Sequence, residues 1–156
     1  MVTIATYGTL ITRGWYRGKK NARPVIVRCF RRFYRKSSGF PVIVRDRNSS
    51  LWVLAFDADR DELSSMDMHE LGYFTRERIV VEEKSGEKTD AWIYIPKPEF
   101  LLRYNVKTKE DLDDNFLDEI RASKAAIDFP ELMQRIPRKK YCEFKSQLPP
   151  SKDGGN

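Results

Sequence analysis

Residues 51–83 read LWVLAFDADRDELSSMDMHELGYFTRERIVVEE, and the way this stretch divides decides the kind of fold. LWVLAFD (51–57) is a short, nearly continuous apolar run that reads as a strand. Asp59-Arg60-Asp61-Glu62 then sets a capping aspartate three positions ahead of a glutamate, the spacing that opens a helix. Leu63, Met66 and Glu70 recur at intervals of three to four and share one helix face. The helix is brief, because Gly72 follows and YFTRERIVVEE resumes in strand-like character. Lys84-Ser85-Gly86-Glu87-Lys88 is a glycine-containing hairpin loop, and TDAWIYIP returns as a strand that Pro96-Lys97-Pro98 ends.

Working outward, residues 2–7 read as a buried strand, 24–35 as a long strand and 41–46 as another. Downstream, Leu112, Phe116, Ile120 and Lys124 are spaced as one face of a helix over 109–126, capped by Thr108. Pro130 suits the first turn of a last short helix. Many strands and few helices, without strand–helix–strand alternation, predict an α+β protein: a mixed or antiparallel sheet curled into a small β-barrel with peripheral helices. The 156 residues fit one domain over 1–140. Beyond Pro137 the chain turns basic, and 141–156, closing in PPSKDGGN, reads as a frayed tail.

Composition narrows the function classes. Apolar content of 40% with 12% aromatics is sufficient for a packed core. No apolar stretch approaches the ~20 residues of a membrane span and no signal peptide opens the chain, so the reading is an intracellular, cytoplasmic protein. Cys29 and Cys142 lack CxxC spacing, and with a single histidine, His69, the chain has too few soft ligands for a zinc site. The net charge of +6 is concentrated: twelve basic residues from Arg13 to Arg47 face one acid, Asp46. Interleaved with Trp15, Tyr16, Phe30, Phe33 and Tyr34, that segment has the ingredients of a nucleic-acid surface. It equally fits the wet face of a strand, since Val25, Val27 and Cys29 alternate with Ile26, Arg28 and Phe30.

Nucleophile motifs are missing. There is no GxSxG elbow, a Ser-His-Asp set would need His69 as its base, and neither a GxxxxGK[ST] loop nor a GxGxxG turn occurs. Carboxylates remain. Glu70 ends the short helix among Met66, Met68, Leu71 and Tyr73, where desolvation would raise its pKa toward that of a working base. On spacing alone a solvated helix-end glutamate is the commoner outcome.

Three blocks together resemble the gamma-glutamylcyclotransferase-like superfamily. Tyr7-Gly8-Thr9-Leu10 directly after the first strand resembles its YGTL or YGSN signature. Met66-Asp67-Met68-His69-Glu70 resembles its L-D-x-x-E helix, with methionine for leucine, and puts Glu70 on the family's catalytic glutamate. NFLDEIRASKAAIDFPELMQRI resembles the tail of the gamma-glutamylcyclotransferases, with Phe116 in place of a tyrosine and Phe129-Pro130 in place of Leu-Pro. The chain departs at Leu71, where the family glycine falls one place later at Gly72, at Ser123 for a tail glycine, and at Met133 for a second tail tyrosine.

The resemblance implies an enzyme that cyclises a gamma-glutamyl amide or amino acid to 5-oxoproline, with Glu70 as general acid/base and no metal or other cofactor. Tyr7, Gly8, Thr9 and Leu10 would bind substrate, their backbone N–H groups forming an anion-holding concavity. The partner is then a small gamma-glutamyl molecule. The alternative is a non-catalytic module on the same fold that binds a small molecule, or nucleic acid through segment 13–47.

Overall fold

The computed structural model describes residues 1–36, 39–102 and 114–142. Strands β1 (Val2–Thr6), β2 (Lys20–Phe33), β3 (Val42–Ala58), β4 (Phe74–Glu83) and β5 (Lys88–Pro96) close into a mixed barrel in the order β1-β3-β2-β4-β5. All neighbouring pairs are antiparallel except β1 and β5, which close the barrel in parallel with Ile4 opposite Trp92. The expected α+β barrel is therefore the observed architecture.

Strand alternation decides what each wall offers. Ala5, Val25, Val27, Phe30, Ile43, Val53, Ala55, Val81, Ala91, Ile93 and Ile95 fill the interior. The intervening residues face out, and part of this outer surface is covered by helices α1 (Thr9–Thr12), α2 (Arg60–Glu70), α3 (Pro98–Leu101), α4 (Phe116–Arg121) and α5 (Ala125–Asp128), and by 3-10 turns at Trp15–Gly18 and Pro130–Met133. Ile11, Tyr16, Leu54, Phe116, Ile120 and Leu132 form one such outer cluster. Ile4, Phe56 and Ala58 form another, with Leu10, Leu63 and Met66 packed on it.

Three expectations need correction. The strand expected over 24–35 begins at Lys20 and ends at Phe33. The separate strands expected over 41–46 and 51–57 are one strand, β3. Arg47-Asn48-Ser49-Ser50 looks like a break, but Asp46 holds it together: its carboxylate accepts from the Asn48 N–H at 3.1 Å and from Ser49 Oγ at 2.9 Å. The matching irregularity on β2 is Cys29, in a left-handed conformation at φ 72, where the register jumps from Arg28↔Ser50 to Phe30↔Arg45. Such bulges bend a sheet toward closure.

The helix expected over 109–126 is in the described residues only Phe116–Arg121. Ser123 interrupts it, its hydroxyl donating to the Ile120 carbonyl at 2.7 Å, and this side-chain bond competes with continuation of the helix. Lys124 is exposed and precedes α5 instead of sharing the apolar face. Thr108 and Leu112 lie outside the described residues. The hairpin is as expected, turning at Gly86 with φ 92. The two cysteines, read in the sequence only as too few soft ligands for a zinc site, form a disulfide with Cα atoms 6.2 Å apart. It anchors the chain through Cys142 beside β2, where Tyr141 N–H also donates to the Arg47 carbonyl at 3.0 Å.

Candidate active site

Helix α2 presents the two acids of the site. Asp59 caps it, accepting from the Glu62 N–H at 2.8 Å, a bond typically worth about 1 kcal/mol to the helix. With the N-terminus fixed, Leu63 and Met66 lie half-buried on the outer face of β1 and β3. The same helix face brings Glu70, its last residue, to a half-buried position. Removal from water pushes the Glu70 carboxyl above the usual range, only partly opposed by neighbouring His69. Among the described residues, no side chain hydrogen-bonds or ion-pairs with this carboxylate.

Asp67, one turn earlier, is the opposite case. Its Oδ1 accepts from the Tyr94 hydroxyl at 2.7 Å and its Oδ2 from Arg76 Nη1 at 2.8 Å. Arg76 and Tyr94 are direct partners across the β4–β5 ladder, and the Arg76 guanidinium stacks over Trp92 at 4.5 Å. Burial chiefly, then the bond to Asp67, drives the Tyr94 hydroxyl far above its ordinary pKa, and the charge of Glu70 adds to this rise. Glu70 and the Tyr94 oxygen are thus electrostatic neighbours. The helix supplies one carboxylate with both oxygens engaged and one desolvated carboxylate that, among the described residues, has no hydrogen-bonding partner.

The Tyr7–Leu10 turn stands at the other end of Tyr94. Tyr7 is buried among the interior residues, and its hydroxyl donates to the Tyr94 carbonyl at 2.7 Å. Its own carbonyl accepts from Arg32 Nη1 at 2.9 Å. Gly8 follows as the N-cap of α1, and a Cβ there would meet Pro41 Cγ at 3.2 Å, so this close approach suits glycine. Thr9 and Leu10 open α1, whose first N–H groups have no acceptor within the helix. Leu10 packs on the cluster that holds Leu63 and Met66.

The structure therefore brings the turn, through Leu10, and helix α2, through Leu63 and Met66, to the same outer wall of β1 and β3. Thr6 and Tyr94 lie two residues beyond the paired Ile4 and Trp92, which places the end of β1 level with the Tyr94 side chain that neighbours Glu70. The Tyr7 phenol itself points inward and is spent on the Tyr94 carbonyl, so this residue contributes backbone, not side chain, to the wall. Sequence reasoning missed Tyr94 and Arg76. The available signal was alternation in AWIYIP, which sends Trp92 and Tyr94 out toward α2.

Leu71 is well exposed and its N–H closes α2 on the Asp67 carbonyl at 3.0 Å, so the altered turn after Glu70 stands at the surface. Phe116, Phe129 and Met133 belong to the outer cluster over α1, and the Arg32 guanidinium lies 5.2 Å over the Phe116 ring. A cleft of about 560 Å³ between Trp52, Arg28 and Pro130 lies on the β2–β3–β4 wall, away from Glu70.

The basic segment is largely neutralised by folding. Arg17 pairs with Asp128, Lys19 with Glu62, Arg23 with Asp57 and Glu83, Arg28 with Glu82, Arg32 with Asp114, and Arg45 with Glu77. The acids come from β3, α2, β4, α5 and, for Asp114, the bridge to Tyr34 that precedes α4, which no local reading could pair. Among the described residues, no group of three or more potential ligands is placed to hold a metal ion, and no helix is long and apolar enough to cross a membrane.

Residues 4–115 match the family described as gamma-glutamyl cyclotransferase, AIG2-like. The chain belongs to this family. The barrel matches a protein from Arabidopsis thaliana known from its solution structure, with TM-score 0.59 and 17% identity over 78% of this chain and 81% of that one. A second Arabidopsis thaliana solution structure gives 0.54 and 14% over 73% and 92%. A structure titled gamma-glutamyl cyclotransferase gives 0.50 and 11% over 78% and 99%. At these identities the shared property is the fold. No curated protein matches the chain.

Proposed function

We propose that this member of the family is an active cyclotransferase that converts a gamma-glutamyl amide or gamma-glutamyl amino acid to 5-oxoproline and releases the free amine or amino acid. The observation that carries the reading is Glu70: a desolvated carboxylate without a hydrogen-bonding or ion-pair partner among the described residues, at the end of a helix whose Leu63 and Met66 share an outer cluster with Leu10 of the turn.

The substrate brings its own nucleophile. Glu70 takes a proton from the alpha-ammonium, and the amine attacks the gamma-carbonyl to close a five-membered ring. The oxyanion that develops faces the N–H groups that open α1; Glu70 returns its proton to the departing nitrogen as the C–N bond breaks, then takes the second proton from the ring nitrogen and passes it to the released amine, which leaves as its ammonium form. Holding the substrate curled converts the attack to a well-oriented intramolecular step, a class of advantage worth up to ~7–11 kcal/mol. Proton transfer by a positioned group contributes typically 10²- to 10⁴-fold. Desolvation of Glu70 serves this step by bringing its pKa closer to that of the amine it must deprotonate.

The test is turnover of a panel of gamma-glutamyl amines, gamma-glutamyl amino acids and glutathione, followed by 5-oxoproline formation, alongside Glu70→Gln. The expected result is product from at least one member and a fall in kcat of about 10²-fold or more in the variant. No product from any member, or full activity in the variant, overturns the assignment. A phosphate-tracking role for segment 13–47 has less support, because the arginines it would use are engaged by carboxylates.

A further inference from the structure

The Tyr94 hydroxyl, bonded to Asp67 one helical turn before Glu70, is a polar group that the catalytic scheme leaves without a task. Its proton is committed: it donates to Asp67 Oδ1 at 2.7 Å, and the second oxygen of Asp67 is occupied by Arg76. Arg76 is in turn fixed by its stacking on Trp92. The phenol ring is held from behind as well, since the Tyr94 carbonyl receives the Tyr7 hydroxyl. A hydroxyl whose hydrogen is fixed on a carboxylate can offer a neighbour only its lone pairs. It is an oriented acceptor, and Glu70 stands one helical turn beyond the Asp67 that holds it, on the neighbouring i,i+3 position of α2.

An alpha-ammonium that approaches Glu70 carries three donors, of which one carboxylate oxygen satisfies one. We propose that Tyr94 Oη is a second acceptor for the substrate's alpha-ammonium group, so that Asp67 and Arg76 select substrates bearing a free alpha-amine by orienting Tyr94. This rests on the cyclotransferase reading above. Tyr94 stays neutral through the reaction, as its strongly raised pKa requires, and Glu70 alone moves the proton. After deprotonation the same oxygen still accepts an N–H of the neutral amine. It thereby keeps the nitrogen lone pair aimed at the gamma-carbonyl.

The test compares two molecules that differ only at the alpha-amine: a gamma-glutamyl amide as substrate, and the corresponding glutaryl amide as competitive inhibitor. For Tyr94→Phe the expected result is a rise of about ten- to hundredfold in the substrate's KM, the loss of a hydrogen bond to a charged group, with the inhibition constant of the glutaryl amide unchanged. Asp67→Asn keeps Tyr94 in place but removes the charge that fixes its proton, and is expected to move the ratio of the two constants in the same direction by a smaller factor. If Tyr94→Phe does not fold, that ratio decides alone. An unchanged ratio, or equal weakening of both molecules, overturns the role of Tyr94. If Tyr94→Phe behaves as wild type while Glu70→Gln abolishes turnover, the proposal for Tyr94 fails and the cyclotransferase reading stands. If the wild-type protein turns over no gamma-glutamyl compound, both fail.

Discussion

Replacing Arg32 by methionine should destabilise the protein severely and unsettle the turn at the end of β1. The side chain is almost completely buried. Nη1 donates to the Tyr7 carbonyl at 2.9 Å, and Nε lies 3.0 and 3.1 Å from the two oxygens of Asp114. Methionine of similar length fills the space over Phe116, so the cavity contribution is small and the loss is electrostatic. An orphaned buried carbonyl costs about 1–3 kcal/mol. Removing one member of a fully buried ion pair costs about 3–5 kcal/mol, but Asp114 retains 20% exposure, and contact with water discounts this to about 1–2 kcal/mol. The sum, about 2–5 kcal/mol, corresponds to a fall of ~4–20 °C in melting temperature for a chain of this size. Urea and thermal unfolding of Arg32→Met, Asp114→Asn and the double variant measure it. Asp114→Asn should cost less than Arg32→Met, because it leaves the bond to Tyr7 intact. A cost below about 1 kcal/mol for Arg32→Met would refute the view that this arginine pins the turn.

Two further outcomes follow from the same physics. Glu70 has a raised pKa when folded, so the native state holds a proton that the unfolded chain has already released; stability from this group is complete below the ordinary glutamate range and declines as pH rises through the folded value. Urea titrations should therefore show wild type losing stability relative to Glu70→Gln across that window, and parallel profiles would contradict the desolvated placement. The Cys29–Cys142 bridge spans 113 residues, for which chain entropy sets a stabilisation of up to about 5 kcal/mol. The double serine variant, compared with the oxidised protein by urea unfolding, should lose most of it, whereas unchanged stability would mean that the bond does not form in solution.

What was legible in the sequence was whatever depends on neighbours along the chain. The hairpin about Gly86, the Asp59 cap and the face shared by Leu63, Met66 and Glu70 are set within a few residues, and each appears where local chemistry places it. The continuity of β3 was hidden because Asn48-Ser49-Ser50 has the composition of a turn, while the carboxylate of Asp46 folds it into a bulge inside the ladder. The basic segment was misleading for the converse reason: its counter-charges, from Asp57 to Asp128, arrive only when the barrel closes. Glu70 could be singled out by its apolar surroundings, but Asp67 could not be told from it until Tyr94 and Arg76 were seen to occupy both its oxygens.

The parallel seam between β1 and β5 has a kinetic consequence. Its partners, Ile4 and Trp92, are among the more distant contacts in the chain, and contacts of long sequence separation form late because loop closure must precede them. The β2–β3 and β4–β5 pairings are hairpins that form without the N-terminus, whereas β1 has its place only once both neighbours exist. Tyr7 and Tyr94 meet across this last closure, so the candidate site is expected to assemble late in folding and to open early on unfolding. In hydrogen exchange, amides of β1 and of the Tyr7–Leu10 turn should exchange through the lowest-energy opening of the barrel, and a ligand seated against Glu70 should slow them more than any others.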